Sequence, residues 1–261
     1  MTLLKRPLRI ALTRRKLVGS LGAGAGGLLL SGCDRITASP TVQHVLGVGE
    51  KLTMGSQRLL SSRTTLAPEF SALDMSPVFR TNGNTDPASD AYARHAAEGF
   101  AHWQLAVDGL VRRPLSLSLA QIRAMPARTQ ITRHDCVAGW SAIGKWTGMP
   151  LKLALDAAGV LASARYVVFH CADDFAGDPY YESIDLIDAY HPQTILAWGM
   201  NDQLLSIGHG APLRLRVERQ LGYKQAKYVM RVELVDSLAG IGGGKGGYWE
   251  DAAGYQWYAG I

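Results

Sequence analysis

The stretch "RHDCVAGWSAIGKW", Arg133 to Trp146, sets a single cysteine, Cys136, between two charged neighbours and a run of glycine and tryptophan. A cysteine does chemistry only as a thiolate, as a metal ligand or a nucleophile; buried in apolar surroundings it is an inert small hydrophobe. A second group lies downstream in "HGAPLRLRVERQLGYKQAKYV", His209 to Val229. There a strand places Arg214 and Arg216 on one face, and a turn at Gly222 is followed by Lys224 and Lys227. Arginine presents a planar fork to phosphate, lysine a point charge, and a glycine turn adds backbone N–H donors. The same pattern also describes a solvated basic strand with Glu218 and Glu233 as partners, and composition by itself favours that plainer reading.

The N-terminal residues set the compartment. "TRRKLVGSLGAGAGGLLLSGC" has a basic start, an apolar stretch and a small-residue end at Cys33. Arg14 and Arg15, followed by Lys16 and Leu17, resemble the twin-arginine export motif, with Leu where a Phe is usual. "LSGC" resembles a lipobox, which implies acylation of Cys33, attachment to a membrane surface, and retention at the bacterial inner membrane through Asp34. The apolar run is shorter than the ~20 residues of a spanning helix. Residues 1–32 carry six of the 27 basic residues and no acid, leaving 21 bases against 22 acids, a net of −1. The basic balance belongs to the leader, which argues against nucleic-acid binding. Two cysteines then remain, Cys136 and Cys171, in a compartment where a disulfide between them would persist.

The elements that must hold these groups read as follows. Residues 33–71 show no clean periodicity and are expected to be a tether and an irregular segment. "NGNTDPASD" is a loop, and "HWQLAVDG" alternates as a half-buried strand should. Ser118 is the N-cap of a short helix stopped by Pro126; "RTQITRHDC" is a strand delivering Cys136; a helix runs from Pro150 to Gly159. "ARYVVFHC", "TILAWGM", "APLRLRV" and "AKYVMRVELV" are further strands. A single α+β domain, sheet dominant, is expected over 72–240. The glycine run at 241–247 lacks the lysine–Ser/Thr step of a P-loop and reads as a flexible turn. The aromatic tail completing 241–261 then packs on the domain. Scattered histidines leave zinc through Cys136 and Cys171 without a recognised spacing.

"RHDCVAGWSAIGKWTGMPL", "ESIDLIDAYHPQTILAWGMN" and "HGAPLRLRVERQLGYKQAKYV", in that order between about Pro77 and Asp236, closely resemble the molybdopterin-binding domain of the sulfite oxidase family. The resemblance implies that family's mixed, sheet-rich fold and one molybdenum–molybdopterin cofactor per chain. Cys136 becomes the thiolate ligand of molybdenum, a soft donor suited to a sulfur-rich set. It further implies a phosphate site at Arg214 and Lys227, with His209, Lys224, Gln225 and Ala226 beside it, and Thr81 and Asn82 lining the cofactor. Cys171 falls near the pterin and Arg80 on the substrate side, while Lys145 and Trp146 shape the loop without ligating.

In layout the chain resembles the catalytic subunit of periplasmic methionine-sulfoxide reductases more than sulfite oxidase, with no haem segment before the domain and no immunoglobulin-like domain after it. The expectation is a monomer doing two-electron oxygen-atom transfer on a small S- or N-oxide, with a membrane cytochrome b or a c-type cytochrome as electron partner. The alternatives are a sulfite-type dehydrogenase, whose oxyanion substrate would need several converging cations, a metal-free lipid-anchored binding module with Cys136 and Cys171 paired, and, more distantly, a zinc hydrolase.

Overall fold

Ten strands make two five-stranded sheets in the computed structural model, which describes residues 39–60 and 62–261. The leader, with Arg14, Arg15 and Cys33, lies outside the described residues. The chain divides into a unit ending at Gly55 and a unit from Ser56 to Ile261, and the second holds both sheets and the site. Helix α1 spans Pro40–Leu60, correcting the irregular tether expected there. Gly47, Gly49 and Gly55 lie inside it; glycine is among the weakest helix formers, and these three hid the helical period in the sequence.

After α2 (Asp90–Ala97), β1 (Gln104–Gly109) alternates buried Leu105 and Val107 with more exposed neighbours, as read from the sequence. It pairs antiparallel with β2 (Leu115–Ser118). Helix α3 (Leu119–Ala124) starts on a capping box, with Ser118 Oγ accepting from Gln121 N and Gln121 Oε1 from Ser118 N. Strands β3 (Arg128–Cys136) and β4 (Trp140–Pro150) form a hairpin in which Cys136 faces Trp140. The Gly/Trp run is therefore a strand and not a loop. Its glycines mark close approach: a Cβ on Gly148 would sit 2.4 Å from the Leu196 carbonyl oxygen.

Helix α4 (Leu151–Ala158) ends at Gly159, whose φ of 71° is the left-handed cap the sequence predicts. Then follow β5 (Tyr166–Phe175), β6 (Asp178–Asp185), α5 (Leu186–Ala189), β7 (Ile195–Met200), β8 (Gln203–Leu204), β9 (Arg214–Arg216), β10 (Val229–Val235) and α6 (Tyr248–Ala253). One sheet runs β2-β1-β10-β5-β6, with β1 and β10 parallel; the other runs β3-β4-β7-β8, with β9 on β7. Both sheets feed one core, where Val107, Phe169 and Val232 meet Leu196, Leu215 and the buried face of α4. A smaller cluster around Trp146, Ile195 and Met200 has Phe79 packed against it, which fixes the segment leading into Arg80.

Candidate active site

Cys136 sits at the end of β3, 8% exposed, where the backbone turns through Gly139, whose φ is 83° and whose N–H donates to the Cys136 carbonyl at 3.0 Å. Its Sγ accepts a hydrogen bond from Asn82 Nδ2 at 3.1 Å. Cys136 and Cys171 are both free thiols, so the disulfide left open by the sequence is not formed. The thiol opens into a cavity of about 240 Å³ that is also lined by Arg80, Thr81, Asn82, His209, Arg214, Gln225 and Lys227. Residues far apart in sequence thus line one cavity.

The two arginines of β9 are buried, contrary to the solvated strand that composition favoured. Both guanidiniums lie over the Trp146 ring, at 4.9 Å for Arg214 and 4.2 Å for Arg216. Arg216 is fully engaged, forked onto Glu218 at 2.9 and 2.6 Å and in contact with His134 Nδ1 at 3.1 Å. Glu233, the other partner expected, instead takes Arg231 and His170. Burial and the two arginines hold His134 well below the usual histidine range, so it is neutral. Arg214 donates only to the carbonyls of His209 and Gln225, at 3.0 and 3.4 Å, and its buried Nε has no partner. Burial and the neighbouring Arg216 push it down to about 9. Lys227 donates to the carbonyls of Asn84 and Gly208, and burial with Arg214 pushes it down to about 8.

Among the described residues neither Arg214 nor Lys227 lies within ion-pair distance of a carboxylate, whereas Arg216 and Lys224 do. Two cations facing a cavity with no carboxylate in ion-pair reach suit an anion. His209, neutral through burial, bridges Ser206 Oγ at 2.9 Å and the Phe79 carbonyl at 3.2 Å, which fastens the Arg80–Asn82 loop over that site.

Three residues expected near the cofactor point elsewhere. Lys224 is buried between Glu182 at 2.6 Å and Glu250 at 2.5 Å. Ala226 is in the core, its carbonyl accepting from Leu215 N at 2.8 Å. Cys171 lies on β5 with its Sγ 3.9 Å from the Phe169 carbonyl, and burial raises its thiol well above the usual range. The sequence reading also missed residues the cavity uses. Asp173 lies within the register break between His170 and Asp174, accepts from Asn84 Nδ2 at 3.3 Å, and is raised to about 6 by burial. Tyr180, Trp249 and Tyr255 also line the cavity. Only the aromatic tail carried a signal for the last two. Among the described residues no three His, Cys, Asp or Glu side chains converge on a metal position, which leaves the zinc reading without ligands.

The model of the oxidoreductase molybdopterin-binding domain matches residues 93–239. The chain belongs to this family. It is 37% identical over 238 residues to a putative protein-methionine-sulfoxide reductase subunit YedZ1 of Azospira oryzae, covering 90% of this chain and 83% of that one. It is 34% identical over 156 residues to the protein-methionine-sulfoxide reductase catalytic subunit MsrP of Ralstonia nicotianae, covering 55% of this chain and 47% of that protein. The sulfane dehydrogenase SoxCD of Paracoccus pantotrophus aligns over 52% of this chain and 39% of its own, at 24% identity and a TM-score of 0.48.

As a molybdopterin-binding oxidoreductase of the sulfite oxidase family, the chain is an enzyme carrying a molybdenum–molybdopterin cofactor. The site fits that group. The cations Arg214 and Lys227, with no described carboxylate in ion-pair reach, suit a phosphate, and Cys136 supplies one soft donor, with no group of three ligating side chains among the described residues.

Proposed function

We propose that this chain reduces an organic S-oxide, taking up two electrons and two protons per oxygen removed to give the thioether and water. The reading rests on the pairing of a lone cavity thiol, Cys136, with the uncompensated cations Arg214 and Lys227. When bound, the cofactor supplies a metal that accepts oxygen and exchanges electrons. Arg214 and Lys227 hold its phosphate, Cys136 ligates its metal, and Asn82 donates to that sulfur and fixes its direction. With Arg214 and Lys227 committed to phosphate, Arg80 is the one cation left among the described lining residues, too little charge to collect an oxyanion such as sulfite. Asp173, raised to about 6, is a carboxyl able to hold a proton near neutrality inside the cavity.

The two relatives are named as reductase subunits, which supports an electron-donating partner for this chain; a membrane cytochrome b or a c-type cytochrome has the right chemistry. Export through the twin-arginine-type leader, attachment through Cys33 and a site on the periplasmic face complete the proposal. No helix of the described residues is long and apolar enough to cross a membrane.

The test is molybdenum and pterin content, with oxide reduction from a viologen donor and sulfite-dependent cytochrome reduction, for the wild type and Cys136→Ser. About one molybdenum per chain, sulfoxide turnover, and loss of turnover in Cys136→Ser are expected. Activity with sulfite alone overturns the reductase reading, and a metal-free wild type from a host that loads other molybdoenzymes overturns the whole of it.

A further inference from the structure

The cavity lining mixes two kinds of group: the polar groups of β9, Gly208 and the Asn82–Asn84 loop, and aromatic rings that contact one another. Phe175 stacks on Tyr248 at 4.9 Å and 24° and meets Trp249 edge-on at 5.1 Å. Trp249 stacks on Tyr255 at 5.9 Å and 25°, and Tyr255 packs edge-on against Tyr223 at 5.0 Å. Phe175, Tyr223, Trp249 and Tyr255 all line the cavity. These rings and the Cys136 thiol line the same cavity, and the turn that bears Tyr223 packs on the end of β3: a Cβ on Gly222 would lie 3.2 Å from the carbonyl oxygen of Asp135.

Three of these rings, Tyr248, Trp249 and Tyr255, come from beyond residue 239, outside the segment that matches the family model. The segment that bears them is fastened at several points. Lys224 holds Glu250 and Glu182 together in full burial. Tyr181 Oη donates to Asp251 at 2.5 Å, Tyr223 Oη to the Gln256 carbonyl at 2.6 Å, and Trp257 Nε1 to Ser183 Oγ at 2.8 Å. A surface tail needs no buried ion pair, and burying one is costly unless every partner is in place. This investment is consistent with rings that must stay put.

We infer that Trp249 and Tyr255 form the substrate-selecting wall of this enzyme, admitting neutral dialkyl sulfoxides of the methionine side-chain type and turning away anionic oxides. Aromatic faces carry negative electrostatic potential, which repels an oxyanion and accepts methyl and methylene groups. A sulfur atom near a ring edge gains a further contact. Lys224 and Glu250 are positioning residues that hold the wall. The inference rests on the sulfoxide reading above and adds which side chains choose the substrate.

The experiment is steady-state reduction of N-acetylmethionine sulfoxide amide and of dimethyl sulfoxide by the molybdenum-loaded enzyme, for the wild type, Trp249→Ala, Tyr255→Ala and Tyr255→Phe. Molybdenum and pterin are assayed in each preparation. The expected result for either alanine variant is KM for the methionine derivative raised about tenfold, the loss of one aromatic contact. kcat stays within about twofold, because such binding is uniform along the reaction. The change is smaller for dimethyl sulfoxide, cofactor content is unaltered, and Tyr255→Phe, which keeps the ring, raises KM less than Tyr255→Ala. If Trp249→Ala fails to accumulate, Trp249→Phe and Tyr255→Ala carry the same comparison. Unchanged KM in loaded alanine variants, or kcat falling in step with cofactor content, overturns the wall alone. A wild type that reduces neither sulfoxide overturns the proposed function and the wall with it.

Discussion

Arg214 and Arg216 stand two residues apart on β9 and stack on the same tryptophan, yet their surroundings give them opposite tasks. Glu218 neutralises Arg216 and makes it structural; Arg214 keeps an unpartnered Nε and a charge unmatched by any described carboxylate in ion-pair reach. Composition showed two like arginines and two plausible acids, Glu218 and Glu233, and only the family resemblance singled out Arg214. Which arginine an acid takes depends on side-chain direction at the end of a strand, which no spacing rule supplies.

Lys227 gives the electrostatics a pH signature. Its folded value, about 8, lies below the ordinary 10.5 because burial and Arg214 disfavour its charge, partly offset by Asp173. Above about 8 the unfolded chain therefore holds a proton that the folded chain has released, so stability of the cofactor-free protein rises with pH. Cys171 and Tyr228, both pushed upward, act in the opposite sense above their ordinary 9.0 and 10.0, and Arg214, at about 9, adds to the rise towards the top of the range, which leaves Lys227 the leading group between pH 8 and 9. Thermal midpoints of cofactor-free protein are expected to climb across that window and to flatten in Lys227→Met; equal slopes would sink the assignment.

At the scale of elements, the 3₁₀ turn Gly222–Lys224 joins three parts of the site. Its first residue packs against the β3 end that carries Cys136, its second sends Tyr223 into the cavity, and its third sends Lys224 away to Glu182 and Glu250. Gly222 is required for space, since an added Cβ would fall 2.5 Å from His134 Nε2. Gly222→Ala is expected to destabilise the fold by about 1–3 kcal/mol through overpacking. By displacing β3 it should also lower molybdenum per chain, both read by calorimetry and metal analysis on one preparation. The short periodic elements, α3 with its capping box and α4 with its left-handed glycine, were legible because their signals are local. β4 was not, since Gly144 and Gly148 look like loop residues until Phe79 and Leu196 are seen pressed against them. Helix α1 escaped for a related reason, its glycines blurring the helical period.

For the whole molecule, an anion that enters the cavity relieves two buried cations at once, so cofactor loading and folding are linked. Loaded protein is expected to melt about 5 °C or more above cofactor-free protein. In Arg214→Met the gap should narrow, chiefly because the cofactor-free form no longer buries an uncompensated charge; differential scanning calorimetry of separated loaded and unloaded fractions measures it. A gap untouched by Arg214→Met would mean that the phosphate is held elsewhere.

What the sequence by itself determined is the chemistry available: one cysteine before a Gly/Trp run, a basic strand and turn behind a glycine–proline step, and the order of motifs that matches the family. These are local or ordered along the chain, and so they survive without coordinates. The tertiary structure decided which of those groups face the cavity. It turned Lys224 into a buried anchor, sent Cys171 and Ala226 elsewhere, brought Asp173 in at a break in strand register, and made the C-terminal aromatics a wall of the site. Each of those outcomes depends on contacts between residues distant in sequence, where side-chain direction and the competition for a counter-charge are settled only once the sheets have packed.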